Sequence, residues 1–225
     1  MVKIFADGAD RASILELNKN PFVEGFTTNP SLLRKAGVTD YKEFALDILS
    51  VIRDKPISFE VIADDNYEMY RQALEIASWG ENVYVKIPIT NTEGKSTEDV
   101  IRRLDHVNLN VTAITTIKQV RRILPSLKKG FISIFAGRIA DTGINPLPIM
   151  KSALKLINGT KVELIWASPR EVFNVYQAQE IGCHVITCTP DLIKKMSLQG
   201  KDLTEYSLDT VRMFYNDAKE SGLKL

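Results

Sequence analysis

A chain of 225 residues, 44% hydrophobic and 25% charged, carries enough apolar material for one substantial core, so a single domain is expected. Its 29 Lys+Arg against 28 Asp+Glu leave a formal charge of +1, and no long-range field favours a nucleic acid or an anionic membrane as partner. No run approaches the ~18 apolar residues of a membrane span, and Asp7 arrives too early for the apolar region of a signal peptide, so a cytoplasmic location is expected. Cys183 and Cys188 have neither CxxC nor zinc spacing and read as buried reduced thiols. His106 and His184 have no second cluster of ligand-type residues near them, so neither a metal nor another cofactor is expected.

Taken in order, the chain alternates short β-branched runs with longer amphipathic stretches. The strand-type runs are residues 3–6, 23–26, 57–61, 83–87, 106–111, 131–135, 162–167 and 184–188. Helical patterns lie between them, clearest at 41–52, 67–79, 97–104, 117–127, 148–157, 171–181 and 191–196, and weakest at 13–17 and 31–33. Regular β-then-α alternation implies right-handed crossovers and a parallel sheet. Eight units of about 28 residues each predict a small α/β fold of the (β/α)8 TIM-barrel type. A doubly wound open sheet, the alternative, wants fewer strands and a Gly-rich turn after the first, and Asp7-Gly8-Ala9-Asp10 is not one. Residues 203–218 add a helix beyond the barrel's needs, with Tyr206, Val211, Phe214 and Ala218 able to share an apolar side. Gly94-Lys95-Ser96 looks like the end of a P-loop, but Ile89 stands where its first glycine belongs.

In this architecture chemistry comes from the C-terminal ends of several strands. Lysine avoids apolar strands, yet Lys86 sits near the end of Asn82-Val83-Tyr84-Val85-Lys86-Ile87-Pro88. Alternation puts it on one face with Tyr84, opposite Val83, Val85 and Ile87. Withdrawing an ammonium from water favours the neutral amine that attacks a carbonyl, which outlines a Schiff-base lysine; a strand-end lysine reaching solvent is the plain alternative. Other strand ends supply polar residues of matching parity: Asp7, Asn29 within Thr27-Thr28-Asn29-Pro30, Glu60, Asn110 with Thr112, and Ser133, which shares its face with the apolar Phe135. Arg138 follows the sixth strand, and Ser168 and Arg170 follow the seventh. Singly these could cap helices or solvate the surface. Together, one lysine, two carboxylates, neutral hydrogen-bonding groups and two arginines suit carbonyl chemistry on a phosphorylated sugar without a metal.

The same residues resemble the transaldolase family and, by length, its short subfamily, which includes the fructose-6-phosphate aldolases. The matching motifs are Asp7, Thr27-Thr28-Asn29-Pro30-Ser31-Leu32, Glu60-Val61, Val85-Lys86-Ile87-Pro88, Asn110-Val111-Thr112, Ser133-Ile134-Phe135-Ala136-Gly137-Arg138 and Ala167-Ser168-Pro169-Arg170. The resemblance implies that Lys86 forms the Schiff base, that Asp7 exchanges the substrate hydroxyl proton, and that Glu60 and Thr112 position a proton-shuttling water. It also implies that Asn29, with Thr28 beside it, Asn110 and Ser133 hold a dihydroxyacetone unit, and that Arg138, Ser168 and Arg170 hold phosphate. The aldolase branch resembles Gln and Tyr where this chain has Glu60 and Phe135, and a phenylalanine lacks the tyrosine's hydroxyl donor. That pair points to transfer of the three-carbon unit within the pentose phosphate pathway; fructose-6-phosphate aldolase and a non-catalytic sugar-phosphate-binding barrel are the alternatives. Gly8 where the family has Thr or Ser, Pro169 inside the Ser168–Arg170 motif, and Ala140-Asp141 for a pair of acids depart from the pattern. Short members of the family form pentamers and decamers, so a homo-oligomer is expected, with small sugar phosphates as the other partners.

Overall fold

A computed structural model describes residues 1–224 of the chain. Eight parallel strands run in sequence order and close on themselves: β1 (Lys3–Asp7), β2 (Val23–Thr27), β3 (Ile57–Glu60), β4 (Val83–Pro88), β5 (Leu109–Ile114), β6 (Lys129–Ile134), β7 (Lys161–Trp166) and β8 (Val185–Cys188). Parallel neighbours must be joined by crossovers. These are α1 (Arg11–Asn18), α2 (Pro30–Lys35) with α3 (Tyr41–Val51), α4 (Asn66–Ala77), α5 (Glu98–Arg103), α6 (Ile117–Ile123), and α7 (Ala136–Asp141) with α8 (Leu147–Ile157). α9 (Phe173–Glu180) leads into β8, and α10 (Pro190–Lys195) and α11 (Leu203–Glu220) follow it. This is the (β/α)8 barrel that the alternation predicts.

Short polar residues set many of the helix starts. Asp10, Asn29, Asp40, Asp65 and Asp202 each accept first-turn N–H groups, and Thr116 with Gln119 forms a full capping box. The predicted helix over 117–127 ends instead at Ile123 and tightens into a 3-10 turn, because Pro125 offers no N–H. The pattern over 171–181 becomes helical only at Phe173, since the Asn174 side chain takes the N–H groups of Arg170 and Glu171. The largest difference is β5, predicted over 106–111. His106 to Asn108 form a turn whose Val107 packs inward at 7% exposure, and the strand runs on to Ile114 through a bulge that places Ala113 at φ 61°. α7 escaped the periodicity, being only six residues long.

Two buried layers follow from strand alternation. Inside the barrel, Phe5, Phe131, Ile165, Ala167 and Val185 pack with Tyr84 and Phe135, and Phe5 meets Phe131 edge-on at 5.7 Å between centroids. Gly25 makes room for them: a Cβ there would lie 2.6 Å from the Phe5 ring. Outside, Val85, Ile87, Val111, Ile132, Leu164 and Ile186, all at 0% exposure, form the opposite face that the helices cover. Contacts divide the chain into one compact unit of residues 1–193, which holds the barrel, and another from Lys194 onward, whose helix α11 has no buried residue.

Candidate active site

Barrel register assembles the inward residues in a ring. Asp7 pairs with Thr27 across β1 and β2, Thr27 with Ser58 across β2 and β3, and Glu60 with Lys86 across β3 and β4. Lys86 in turn pairs with Asn110, and Pro88 with Thr112. Asp7, Thr27, Glu60, Lys86 and Thr112 lie in the C-terminal halves of their strands, where a parallel barrel gathers its chemistry, while Ser58 and Asn110 are the second residues of theirs and sit deeper.

Lys86 is 5% exposed and does not reach out to solvent. Its Nζ donates to the Thr28 carbonyl at 2.7 Å and meets Glu60 Oε2 at 3.1 Å. A buried ammonium needs such partners, and both come from backbone or side chains at neighbouring strand ends. Thr28 therefore contributes through its carbonyl, while its own hydroxyl, like that of Thr112, is buried without a protein partner among the described residues. Buried polar groups are ordinarily satisfied, and of these two Thr112 lines the recess that also holds Lys86, where its hydroxyl is available to water or ligand atoms.

Asp7 accepts a hydrogen bond from Thr27 Oγ1 at 2.7 Å. Burial pushes its carboxyl above the ordinary carboxylate range; the Lys86 charge and the Thr27 bond pull it back down, and Glu60 adds to the rise. Glu60 is held from behind by Tyr41, whose hydroxyl accepts from the Glu60 N–H at 2.8 Å and donates to the Glu60 carbonyl at 3.1 Å. Tyr41 itself sits edge-on to Phe59 and Trp79, with centroids 6.1 and 5.6 Å away.

Below this ring, Asn110 is at 0% exposure, accepting from Ser133 Oγ at 2.7 Å and donating to Ser58 Oγ at 3.0 Å. Asn29 serves two ends: its Oδ1 caps α2 through the Leu32 N–H, and the residue lines the mouth of the barrel. On the far side of the mouth, Arg138 lies over the Phe135 ring at 5.1 Å, and Arg170 forms a two-point pair with Asp141. That arginine holds the exposed Asp141 carboxyl below its usual range. Ser168 adopts φ 59°, a strained left-handed turn that carries the chain from β7 past α7. Gly137 is what lets it: a Cβ there would fall 1.5 Å from the Ser168 carbonyl oxygen. Of the departures noted in the sequence, Gly8 leaves open space where a side chain would stand, and its N–H donates to the Thr27 carbonyl at 3.0 Å.

A recess of about 180 Å³ opens on this ring, lined by Asp7, Thr27, Asn29, Lys86, Thr112, Ser133, Phe135, Arg138, Ser168, Arg170 and Thr187. A larger one of about 410 Å³ lies beside it between α1 and α2, sharing Asp7 but lacking the lysine and the arginines. Chemistry, not size, selects the smaller. The twelve residues singled out in the sequence are thereby accounted for: nine form the recess wall or line it, and Thr28, Glu60 and Asn110 sit just behind it. Thr187, Ser58 and Tyr41 were not among them. Thr187 and Ser58 were findable, as polar residues sharing the inward parity of their strands; Tyr41 acts from a helix and leaves no local signal. Among the described residues no group of His, Cys, Asp and Glu could hold a metal, and burial pushes the Cys183 and Cys188 thiols up to about 12, away from nucleophilic use.

The model of the family described as Transaldolase/Fructose-6-phosphate aldolase matches residues 4–225. A probable transaldolase of Thermoanaerobacter sp. (strain X514) is 33% identical over 228 residues, covering 100% of both chains. Another, from Streptococcus equi subsp. zooepidemicus (strain MGCS10565), is 35% identical over 200 residues, covering 87% of this chain and 90% of its own; one from Methanococcus maripaludis is 34% identical over 199 residues, covering 87% and 89%. The solved structure of 2,3-dimethylmalate lyase, a member of the PEP mutase/isocitrate lyase superfamily, superposes with a TM-score of 0.59 at 12% identity, covering 99% of this chain and 84% of that one. At that identity the likeness concerns the barrel fold alone.

Proposed function

The chain belongs to the transaldolase/fructose-6-phosphate aldolase family of enzymes, and within it we propose that it is a transaldolase working through a Schiff base on Lys86. The observation that carries this reading is the buried Lys86 amine, held by Glu60 and the Thr28 carbonyl and open to the same recess as Asp7.

In this mechanism the Lys86 amine adds to the ketone carbon of sedoheptulose 7-phosphate, and loss of water gives a protonated imine. Glu60 and Thr112 hold the water that carries protons through that exchange. Asp7 then takes the proton of the C4 hydroxyl, the C3–C4 bond breaks, and its electron pair passes into the imine to give an enamine. Erythrose 4-phosphate leaves. Glyceraldehyde 3-phosphate takes its place, the enamine carbon attacks its aldehyde, Asp7 returns the proton to the new hydroxyl, and hydrolysis of the imine releases fructose 6-phosphate. Asn29, Asn110 and Ser133 hold the three-carbon unit during the exchange, and Arg138, Ser168 and Arg170 receive the phosphate. A guanidinium matches phosphate oxygens at two points, so phosphate displaces Asp141 from Arg170 on binding.

Glu60 and Phe135 favour transfer over release: with no hydroxyl at Phe135, the recess lacks a donor there to hold the water that would discharge the enamine. The reading places the protein in the cytoplasm, in the pentose phosphate pathway. It also makes the protein a homo-oligomer, supported by the apolar residues that α11 leaves exposed, among them Val211 at 60% and Phe214 at 62%.

The test is a coupled assay of glyceraldehyde 3-phosphate formed from fructose 6-phosphate, with and without erythrose 4-phosphate. Turnover that requires the acceptor supports the proposal. Equal turnover without it, with free dihydroxyacetone accumulating, makes the protein an aldolase. Borohydride with either ketose phosphate is expected to leave a stable adduct on Lys86; a protein that binds the sugar without such an adduct is a binding barrel instead.

A further inference from the structure

Thr27 and Thr187 are buried, at 4% and 6% exposure, on the inward faces of β2 and β8, the two strands that flank β1. Thr27 Oγ1 lies 2.7 Å from Asp7 Oδ1 and 2.5 Å from Thr187 Oγ1. A hydroxyl has one proton to give, and an ionised carboxylate has none. Thr27 therefore gives its proton to Asp7 and accepts from Thr187. Neither hydroxyl has another hydrogen-bond partner among the described residues, so the chain runs one way, from Thr187 through Thr27 to the carboxylate.

We propose that Thr187 is a positioning residue for Asp7: by donating to Thr27 it polarises the hydroxyl that Asp7 accepts from, and so holds Asp7 ready in its proton-accepting form. Hydrogen bonds in series strengthen one another, most of all in a low-dielectric interior. The inference rests on Asp7 as the proton acceptor of the proposed reaction, and it deepens that reading. The charged and titratable groups around Asp7 are Lys86 from β4, Glu60 from β3 and, on the opposite face of β8 from Thr187, the Cys188 thiol, with Arg138 and Arg170 lining the same recess. Lys86 favours the carboxylate and Glu60 opposes it, and burial opposes it most. The two threonines are the neutral groups that work against burial, and Thr187 does so without touching Asp7.

The experiment is a carbon-13 NMR titration of the Asp7 carboxyl, assigned by its loss in Asp7→Asn, in the wild type, Thr187→Val and Thr187→Ser. Valine keeps the shape and removes the donor; serine keeps the donor. The Asp7 midpoint is expected to rise in Thr187→Val and to stay near wild type in Thr187→Ser. In parallel, the acidic limb of kcat/KM against pH moves the same way, with kcat at neutral pH down roughly threefold to tenfold and KM little changed. An unmoved midpoint in folded Thr187→Val overturns the proposal, as does a serine variant that shifts as far as valine, since packing would then be the cause. Should Thr187→Val not fold, Thr187→Ala carries the same comparison. The titration needs no turnover, so a wild type inactive on sugar phosphates sinks the proposed reaction while the midpoints still decide the role of Thr187.

Discussion

Asp7 shows how a single residue trades stability for chemistry. Its carboxyl is held above the ordinary range because burial outweighs the help of Lys86 and Thr27. A native-state value raised above the unfolded one means that folding favours the protonated form. Stability from this group is thus present in acid and lost as pH rises through the native value, leaving ionised Asp7 a liability at neutral pH. Asp7→Asn is therefore expected to stabilise the fold by about 1 kcal/mol at pH 7, about 2–4 °C in melting temperature, while lowering turnover roughly 100-fold or more. Thermal melts across pH check the sign: the gain should fade below about pH 4, where the carboxyl of both folded and unfolded wild type is protonated. A variant less stable than wild type at neutral pH would mean that the Lys86 attraction, not burial, dominates. At this scale the sequence was legible. Lys86, Glu60 and Asp7 stood out because each is a charge at the end of a strand whose opposite parity is apolar.

Elements hold these residues to their geometry. β2 pairs with β3 only as far as Thr27 and Ser58, so the Glu60 backbone passes the end of that ladder with its polar groups still to satisfy. The Tyr41 hydroxyl, at the first turn of α3, takes both, and burial pushes its own proton loss to well above the ordinary range, keeping it a donor. Tyr41→Phe leaves a buried N–H and C=O at Glu60 unpaired, which costs about 1–3 kcal/mol in urea unfolding. It is also expected to lower kcat more than it raises KM, because the Glu60 carboxylate beside Lys86 loses its anchor. A variant with normal stability and activity would show that β3 holds its end unaided. No sequence pattern announces Tyr41, because a side chain from one element meeting the backbone of another is a long-range event. The strained turn at Ser168 is likewise visible only in the fold, where Gly137 makes space for its carbonyl.

For the whole molecule, the exposed apolar side chains of α11 carry the proposal of a homo-oligomer, since a helix with an apolar stripe and no buried residue leaves that surface to be covered. Val211→Glu combined with Phe214→Glu is expected to lower the mass seen by light scattering while leaving the far-ultraviolet spectrum of the barrel unchanged. An unaltered mass would remove α11 from the assembly. The eight-unit alternation, the inward parity of the strand-end residues and the family motifs were all determined by the sequence itself, because alternation and spacing are local properties of the chain. Closure of the barrel decided the rest. Only when β8 came round to β1 did Thr187 meet Thr27 and, through it, Asp7, and only when β7 lay beside β6 did Arg170 find Asp141. These contacts join residues as far as 160 positions apart, and such distances are set by packing, which no local pattern encodes.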